Sequence, residues 1–238
     1  MRLDMTLVAR NLYPSRTAAQ QAIAEGMVIV NGVLVTKCSY TVNDTDMIVA
    51  ALLHSYVSRG GLKLQHALQQ FNIDPTAAIC LDVGASTGGF TDCLLRHGAN
   101  KVYAVDVGHS QLHETLRGDS RVINMENADI RNITLPELVD IIVVDVSFIS
   151  AVKILSVVKS LLKSSGDVLV LVKPQFETSR SAKNKHGVVT DEKTRLAAVE
   201  HVRQYARENG WLVSEICQSP IAGGEGNIEY WLHLTAQV

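Results

Sequence analysis

Four charged residues stand where an unpaired charge would be expensive. Lys173 follows the apolar run Val168-Leu-Val-Leu-Val172 and precedes Pro174, so it is set at the carboxyl edge of a strand. Asp145 ends a second apolar run that starts at Asp140, Lys63 follows the pair Gly60-Gly61, and Glu229 opens the last strand-like stretch. A charge at such a position is costly unless it is paired or used. Two lysines and two carboxylates at the edges of core elements could surround one substrate oxygen and handle its proton. The competing reading is a pair of surface salt bridges, each worth little. Spacing alone leaves both open.

A second chemical stretch is Ile79-Cys-Leu-Asp-Val-Gly-Ala-Ser-Thr-Gly-Gly-Phe90. Its first five residues read as a buried strand, and Thr91 to Arg96 resume a helical pattern. Gly84, Gly88 and Gly89 let the backbone bend between them and approach a ligand closely. Strand, glycine turn and helix N-terminus together make a nucleotide-type site at the strand's carboxyl end. Gly84 is followed by Ala85, Ser86 and Thr87 before Gly88, so the dinucleotide fingerprint G-x-G-x-x-G is absent. The run from Asp82 to Phe90 instead resembles the first motif of S-adenosylmethionine-dependent methyltransferases, whose ligand has no phosphate to cradle. The alternative is a turn needed only for close strand–helix packing.

Further candidates sit at later strand ends. Asp106 and the adjoining Val107 follow the run Lys101-Val-Tyr-Ala-Val105, 24 residues beyond Asp82, where an acid commonly binds ribose hydroxyls. The competing role for Asp106 is a helix cap. Asp129 could receive an adenine amino group with Ala128 packed on the ring. Asp145 could hold the methionine amino group or orient a lysine.

The elements that must position these groups alternate. Strands are expected at 79–83, 101–106, 122–126, 140–145, 167–173, 211–217 and 229–235, with helices at 62–71, 110–117, 150–163 and 192–209. This order predicts an α/β protein, a doubly wound, mostly parallel sheet. By resemblance to methyltransferases it is a Rossmann-like sheet of seven strands with the last antiparallel. Residues 51–62 form a joint in which Gly60-Gly61 marks a bend, dividing the chain into domains 1–57 and 58–238.

Residues 1–50 read as a unit of their own: helices at 2–10 and 16–24, then two short strands around the Asn31-Gly32 turn. This pattern resembles the small RNA-binding module named after a small-subunit ribosomal protein and shared with tyrosyl-tRNA synthetases and pseudouridine synthases. The match lies in Arg2-Leu-Asp4, Ser15-Arg16, Ala19, Ile23, Gly26, Val28 and Val30-Asn-Gly32. The resemblance implies RNA contacts at Arg2, Arg10, Arg16, Lys37 and Arg59. A packing or dimerisation module is the alternative, and four cations against four acids in 1–50 do not separate them.

Composition narrows the classes. A net charge of −2 argues against a strongly basic nucleic-acid binder, although six Lys or Arg face three acids between 173 and 195. That local excess could track a phosphate backbone or be a solvated loop. Cys38, Cys80, Cys93 and Cys217 are scattered, and the eight histidines show no ligand spacing, so no metal is expected. No apolar run reaches the roughly 18 residues of a membrane span, and no secretory leader is apparent. A soluble, cytoplasmic protein is expected.

Five segments extend the resemblance: Ser58-Arg-Gly-Gly-Leu-Lys-Leu64, Gly84 to Thr91, Asp145-Val-Ser-Phe-Ile-Ser150, Leu171-Val-Lys-Pro-Gln-Phe-Glu177 and Gly226-Asn-Ile-Glu-Tyr230. Over essentially the whole chain it is similar to the TlyA family, a branch of the FtsJ-like ribose methyltransferases. The resemblance implies 2′-O-methylation of a cytidine in ribosomal RNA, with the large subunit favoured, and S-adenosylmethionine as methyl donor. It also implies a Lys-Asp-Lys-Glu tetrad at Lys63, Asp145, Lys173 and Glu229, with Lys173 as general base. The other readings are an RNA-binding protein with an inactive methyltransferase fold and a membrane-active haemolysin.

Overall fold

The computed structural model describes all residues except 14, 25, 51–55, 224, 225 and 238, and the side chains of 21 and 49. The expected joint therefore lies partly outside the described residues. Helices α1 (Leu3–Ala9) and α2 (Arg16–Ala24) precede strands β1 (Val28–Val30), β2 (Val33–Leu34) and β3 (Ile48–Ala50). Asn31 and Gly32 both take positive φ, as the tight β1–β2 turn requires. β3 was not expected from sequence: it is three residues long and pairs antiparallel with β1 across an irregular stretch. Leu3, Leu7, Ala19, Ile23, Val28 and Val30 close a small core between helices and sheet.

The second unit begins with α3 (Gly60–Phe71), whose first two residues are the glycine pair. The pair is not a bend before a helix but its first turn. A Cβ on Gly89 would lie 3.0 Å from the Gly61 nitrogen and 3.2 Å from Gly60 Cα, so α3 and α4 (Gly89–Arg96) meet backbone to backbone. β4 (Ile79–Val83), β5 (Lys101–Val105), β6 (Val122–Met125), β7 (Val139–Val144) and β8 (Leu162–Val172) form the parallel part of the large sheet. Between them lie α5 (Glu114–Arg117) and α6 (Ala151–Val158), and α7 (Pro174–Glu177) and α8 (Glu192–Glu208) follow. β9 (Trp211–Val213) and β10 (Cys217–Gln218) both pair antiparallel with β11 (Tyr230–Ala236), which itself runs antiparallel beside β8.

The sheet order is β10-β11-β8-β7-β4-β5-β6, with β9 also on β11, giving eight strands rather than seven. The single strand expected at 211–217 is split in two. β8 starts at Leu162, five residues early, because Leu162 pairs with Val139 ahead of an irregularity in register. The helix expected at 150–163 correspondingly ends in a short 3-10 turn at Lys159–Leu161, and that expected at 110–117 shrinks to α5.

Alternation along the strands builds two cores. Leu81, Val83, Ile142, Val144, Val168 and Val170 face α6 and α8, whereas Cys80, Ile141, Val143, Leu169 and Leu171 face α3 and α4. Strands buried on both faces read as continuous apolar runs, which explains how plainly the sequence announces them. The chain crosses from β4 to β5 on one side and later to β7 on the other. The crevice for a ligand therefore lies beyond the carboxyl end of β4. No helix among the described residues is long and apolar enough to cross a membrane.

Candidate active site

The glycine turn after β4 is shaped by close approach. A Cβ on Gly84 (φ +86°) would lie 2.4 Å from the Asp145 carbonyl oxygen, and one on Gly88 (φ +91°) 2.3 Å from Leu116 Cδ1. The turn thus sits against the end of β7, with Ser86 and Thr87 exposed and Ala85, Gly88, Gly89 and Phe90 buried. Phe90 packs on Trp231 with ring centroids 5.5 Å apart, so it belongs to the core rather than to a ligand surface.

Asp106 fastens the end of β5 to this turn. Its Oδ2 accepts from the Ser86 amide at 2.7 Å and its Oδ1 from the Gly108 amide at 2.7 Å. Each oxygen keeps a lone pair for a hydroxyl donor. Val107, 74% exposed, lies beside it as an uncovered apolar surface. Ala128 donates its amide to the Asp106 carbonyl. Asp129 is differently placed: its carboxylate accepts from the Arg131 amide and guanidinium, which pulls its pKa down to about 2. That carboxylate is already occupied within the chain.

Asp82 has no exposed surface. Oδ2 accepts from the Thr91 hydroxyl at 2.7 Å, and Oδ1 has no hydrogen-bond partner. Desolvation raises its pKa to about 7, with Asp145 and Asp106 adding to the shift and the Thr91 bond opposing it. Expected as a cofactor contact, it instead supports the turn from beneath, at the start of α4.

The four charged residues form two pairs. Lys63 Nζ donates to Glu229 Oε2 at 2.6 Å, and the two side chains are only 7% and 2% exposed. Lys173 Nζ lies 2.5 Å from Asp145 Oδ1, an ion pair off the hydrogen-bond direction, and donates to Ser147 Oγ at 2.9 Å. The Lys63–Glu229 pair is fully buried and the Lys173–Asp145 pair half-buried, at 11% and 21% exposure, so neither is an ordinary surface salt bridge. Tyr230 is opposite Val172 in the β8–β11 ladder, so Glu229 and Lys173 leave neighbouring strands at the same sheet edge.

Three residues in the quoted segments take roles that the sequence reading did not assign. Phe148 is 90% exposed, adopts φ +65°, and rests on Phe176 with centroids 5.2 Å apart. That backbone conformation is strained for a bulky residue and persists only where neighbours enforce it. Glu177 supplies the restraint: Oε2 accepts from Ser150 Oγ at 2.5 Å and Oε1 from the Ala151 amide at 2.7 Å. It thereby ties α7 to the N-terminus of α6, a favourable place for a carboxylate. Ser147 holds Lys173. Ser147 and Phe148 occur in a loop and Glu177 ends the four-residue α7, where no periodicity marks a side chain's direction.

The N-terminal unit distributes its cations unevenly. Arg2 and Arg16 both donate to the buried carboxylate of Asp4, and their side chains remain 44% and 56% exposed. Arg10, expected to contact phosphate, gives its guanidinium to the carbonyls of Asn43, Asp44 and Asp46 and so holds a turn. Lys37 is exposed and Arg59 half-buried at the N-cap of α3.

The FtsJ-like methyltransferase family model matches residues 56–236 and the S4 domain model residues 1–48. Hemolysin A of Brachyspira hyodysenteriae is 43% identical over 237 residues, covering 98% of this chain and 99% of that protein. The 16S/23S rRNA (cytidine-2'-O)-methyltransferase TlyA of Mycobacterium tuberculosis is 40% identical, covering 99% and 90%. The chain belongs to the TlyA family of FtsJ-like methyltransferases. Among solved structures, one named as a hemolysin from Streptococcus thermophilus superposes with a TM-score of 0.76 at 38% identity, covering all of this chain and 88% of that one. A SAM-dependent methyltransferase from Aquifex aeolicus shares the fold alone, with a TM-score of 0.54 at 18% identity over 75% of this chain and 93% of that one. Among the described residues no group of three His, Cys, Asp or Glu could hold a metal ion.

Proposed function

We propose that this chain methylates the 2′-hydroxyl of a cytidine ribose in ribosomal RNA, with S-adenosylmethionine as donor. The observation that carries the reading is the half-buried Lys173–Asp145 pair beside the glycine turn, with the buried Lys63–Glu229 pair at the neighbouring strand end. In this reading domain 1–57 captures RNA and domain 58–238 transfers the methyl group.

The fit to the donor rests on Gly84 and Gly88, whose missing Cβ atoms let the turn close against Asp145 and Leu116, and on Asp106, which has free lone pairs for ribose hydroxyls. The bound donor supplies an already electrophilic methyl group, so the protein's task is alignment and proton removal. Lys173 accepts the proton that the attacking 2′-oxygen releases as the new O–C bond forms. It must be neutral at that moment, so its ammonium proton has first to pass to solvent, which reaches Lys173 through its remaining exposure. Asp145 and Ser147 fix the direction of Nζ, and Lys63–Glu229 forms the opposite wall of the oxygen site. Phe148 presents a bare aromatic face beside Lys173, on which the base of the target nucleotide can stack. General-base help is typically worth about a hundred- to ten-thousand-fold.

The test is transfer of a labelled methyl group to 23S and 16S ribosomal RNA and to both subunits, large-subunit RNA first, with mapping of the product. Lys173→Ala should lose at least about a hundredfold in single-turnover rate while binding S-adenosylmethionine with unaltered affinity by calorimetry. Turnover like wild type in that variant would overturn the assignment.

A further inference from the structure

The loop between α7 and α8 carries a concentration of uncommitted positive charge. All 22 Lys and Arg side chains fall within the described residues. Twelve stand in ion pairs. Arg10, Lys159 and Arg195 donate to backbone carbonyls. Of the seven left with neither, Arg180, Lys183, Lys185 and Lys193 lie between positions 180 and 193, while Lys37, Arg59 and Lys153 are scattered. No acid occurs from Thr178 to Thr190. The carboxylates at its two ends are occupied, Glu177 by the α6 N-terminus and Asp191 by the Thr194 amide and hydroxyl. In a chain of net charge −2, twelve of the other eighteen cations are neutralised by a carboxylate, and the unpaired remainder is concentrated here.

The loop is also built. Asn184 Oδ1 accepts from the amides of His186 and Val188, its amide donates to the Val188 carbonyl, and Gly187 donates to the Asn184 carbonyl. Val189 is 1% exposed and anchors the return. Asn227, also 1% exposed, pins it: Oδ1 accepts from the Val189 amide at 3.0 Å, and Nδ2 donates to the Gly187 carbonyl at 3.2 Å. Asn227 stands two residues before Glu229 and accepts from the Gly223 amide, and a Cβ on Gly223 would lie 2.4 Å from Glu229 Oε1. The loop therefore leaves the sheet edge just after Lys173 and is fastened again just before Glu229.

We propose that loop 178–190 is a second RNA contact, a clamp for the phosphodiester backbone at the lip of the methyl-transfer site, positioned by Asn227. It rests on the reading of RNA as substrate. Unpaired cations on a loop whose backbone is already held bind phosphates without the cost of ordering that backbone, and their contribution is sequence-blind and salt-dependent. An arch rooted at both catalytic strand ends would hold the strand on which the target ribose lies.

The test is the dissociation constant for 23S ribosomal RNA as a function of salt, with methyl transfer by the wild type scored on the same RNA. The triple variant Arg180→Gln, Lys183→Gln, Lys185→Gln should lower the slope of log K against log salt by about two to three, at roughly 0.7–0.9 per phosphate contact. Lys185→Glu alone, which tolerates failure of the triple variant to fold, should lower it by about one. Asn227→Ala keeps every charge and should raise the KM for RNA about tenfold with the KM for S-adenosylmethionine unmoved. An unchanged slope in the charge variants overturns the clamp, and an effect of Asn227→Ala on kcat alone overturns its positioning. Absent wild-type transfer, by contrast, would mark failure of the substrate reading.

Discussion

Asp4 in the N-terminal unit and Asp82 in the catalytic domain both have no exposed surface, yet they are held in opposite ways. Asp4 accepts from Arg2 on both oxygens, from Arg16 and Gln20, and from the Met5 amide. These donors hold its pKa well below the usual carboxylate range, the Arg2 bonds most of all, with desolvation opposing. It is hidden by its own partners, two of them half-exposed, rather than by depth. Asp82 lies within the sheet, has one hydroxyl donor and one orphaned oxygen, and its pKa is pushed up to about 7. Burial sets the penalty in both, and the donors present decide whether the charge survives it. One acid is a strut for two arginines aimed at solvent. The other is a proton-holding group under a ligand turn.

The largest expected effect follows from Asp82. Its folded pKa lies above the ordinary value near 4, so between roughly pH 4 and 7 the folded state holds a proton that the unfolded chain has released. Stability from this group is therefore present at low pH and lost as pH rises through 7. Between pH 5 and pH 8 the loss should be roughly 2–3 kcal/mol, read by urea unfolding. Asp82→Asn should flatten that limb. An equally steep limb in the variant would break the contrast. Asp4 gives the opposite sign: its stabilisation is present above about pH 4 and fades as the medium becomes more acidic. Asp4→Ala removes a charged acceptor from several donors and should destabilise the N-terminal unit by about 2 kcal/mol, measured as a shift in urea midpoint. The same variant should weaken RNA binding, because Arg2 and Arg16 lose their common support.

How much of this was legible depended on where the signal resides. The glycine turn, Asp106 and Lys173 could be read because apolar strands announce their own ends, and side chains at those ends have little freedom of address. β3 and the early start of β8 could not, since the polar run Lys163-Ser-Ser-Gly-Asp167 reads as a loop and is drawn into the strand by the pairing of Leu162 and Asp167 with β7. Arg10 looked like a phosphate ligand because its sequence neighbours do not reveal the carbonyls of residues 43, 44 and 46 that receive it. The clamp through Glu177 was hidden for the same reason: its partners Ser150 and Ala151 lie across the sheet edge.

Glu177 offers the smallest effect and sharpens the comparison, as a carboxylate that supports a site through two hydrogen bonds to a helix start. Glu177→Gln keeps the shape but weakens both bonds to the α6 N-terminus. It should lower the single-turnover rate about tenfold, some 1.4 kcal/mol, while calorimetric affinity for S-adenosylmethionine stays level. A matching fall in cofactor affinity would show that the clamp acts on the glycine turn instead.

The antiparallel ladder between β8 and β11 has one more implication. Lys173 and Glu229 emerge from a long ladder inside the sheet, flanked by β7 on one side and by β9 and β10 on the other, where Leu169, Leu171, Leu232 and Leu234 lie without solvent contact or nearly so. The reactive groups are thus mounted on the portion of the chain that is hardest to open. Heat should then extinguish catalysis only when the whole domain melts, whereas the hairpin-tipped amino-terminal unit can fray and re-form without disturbing the chemistry.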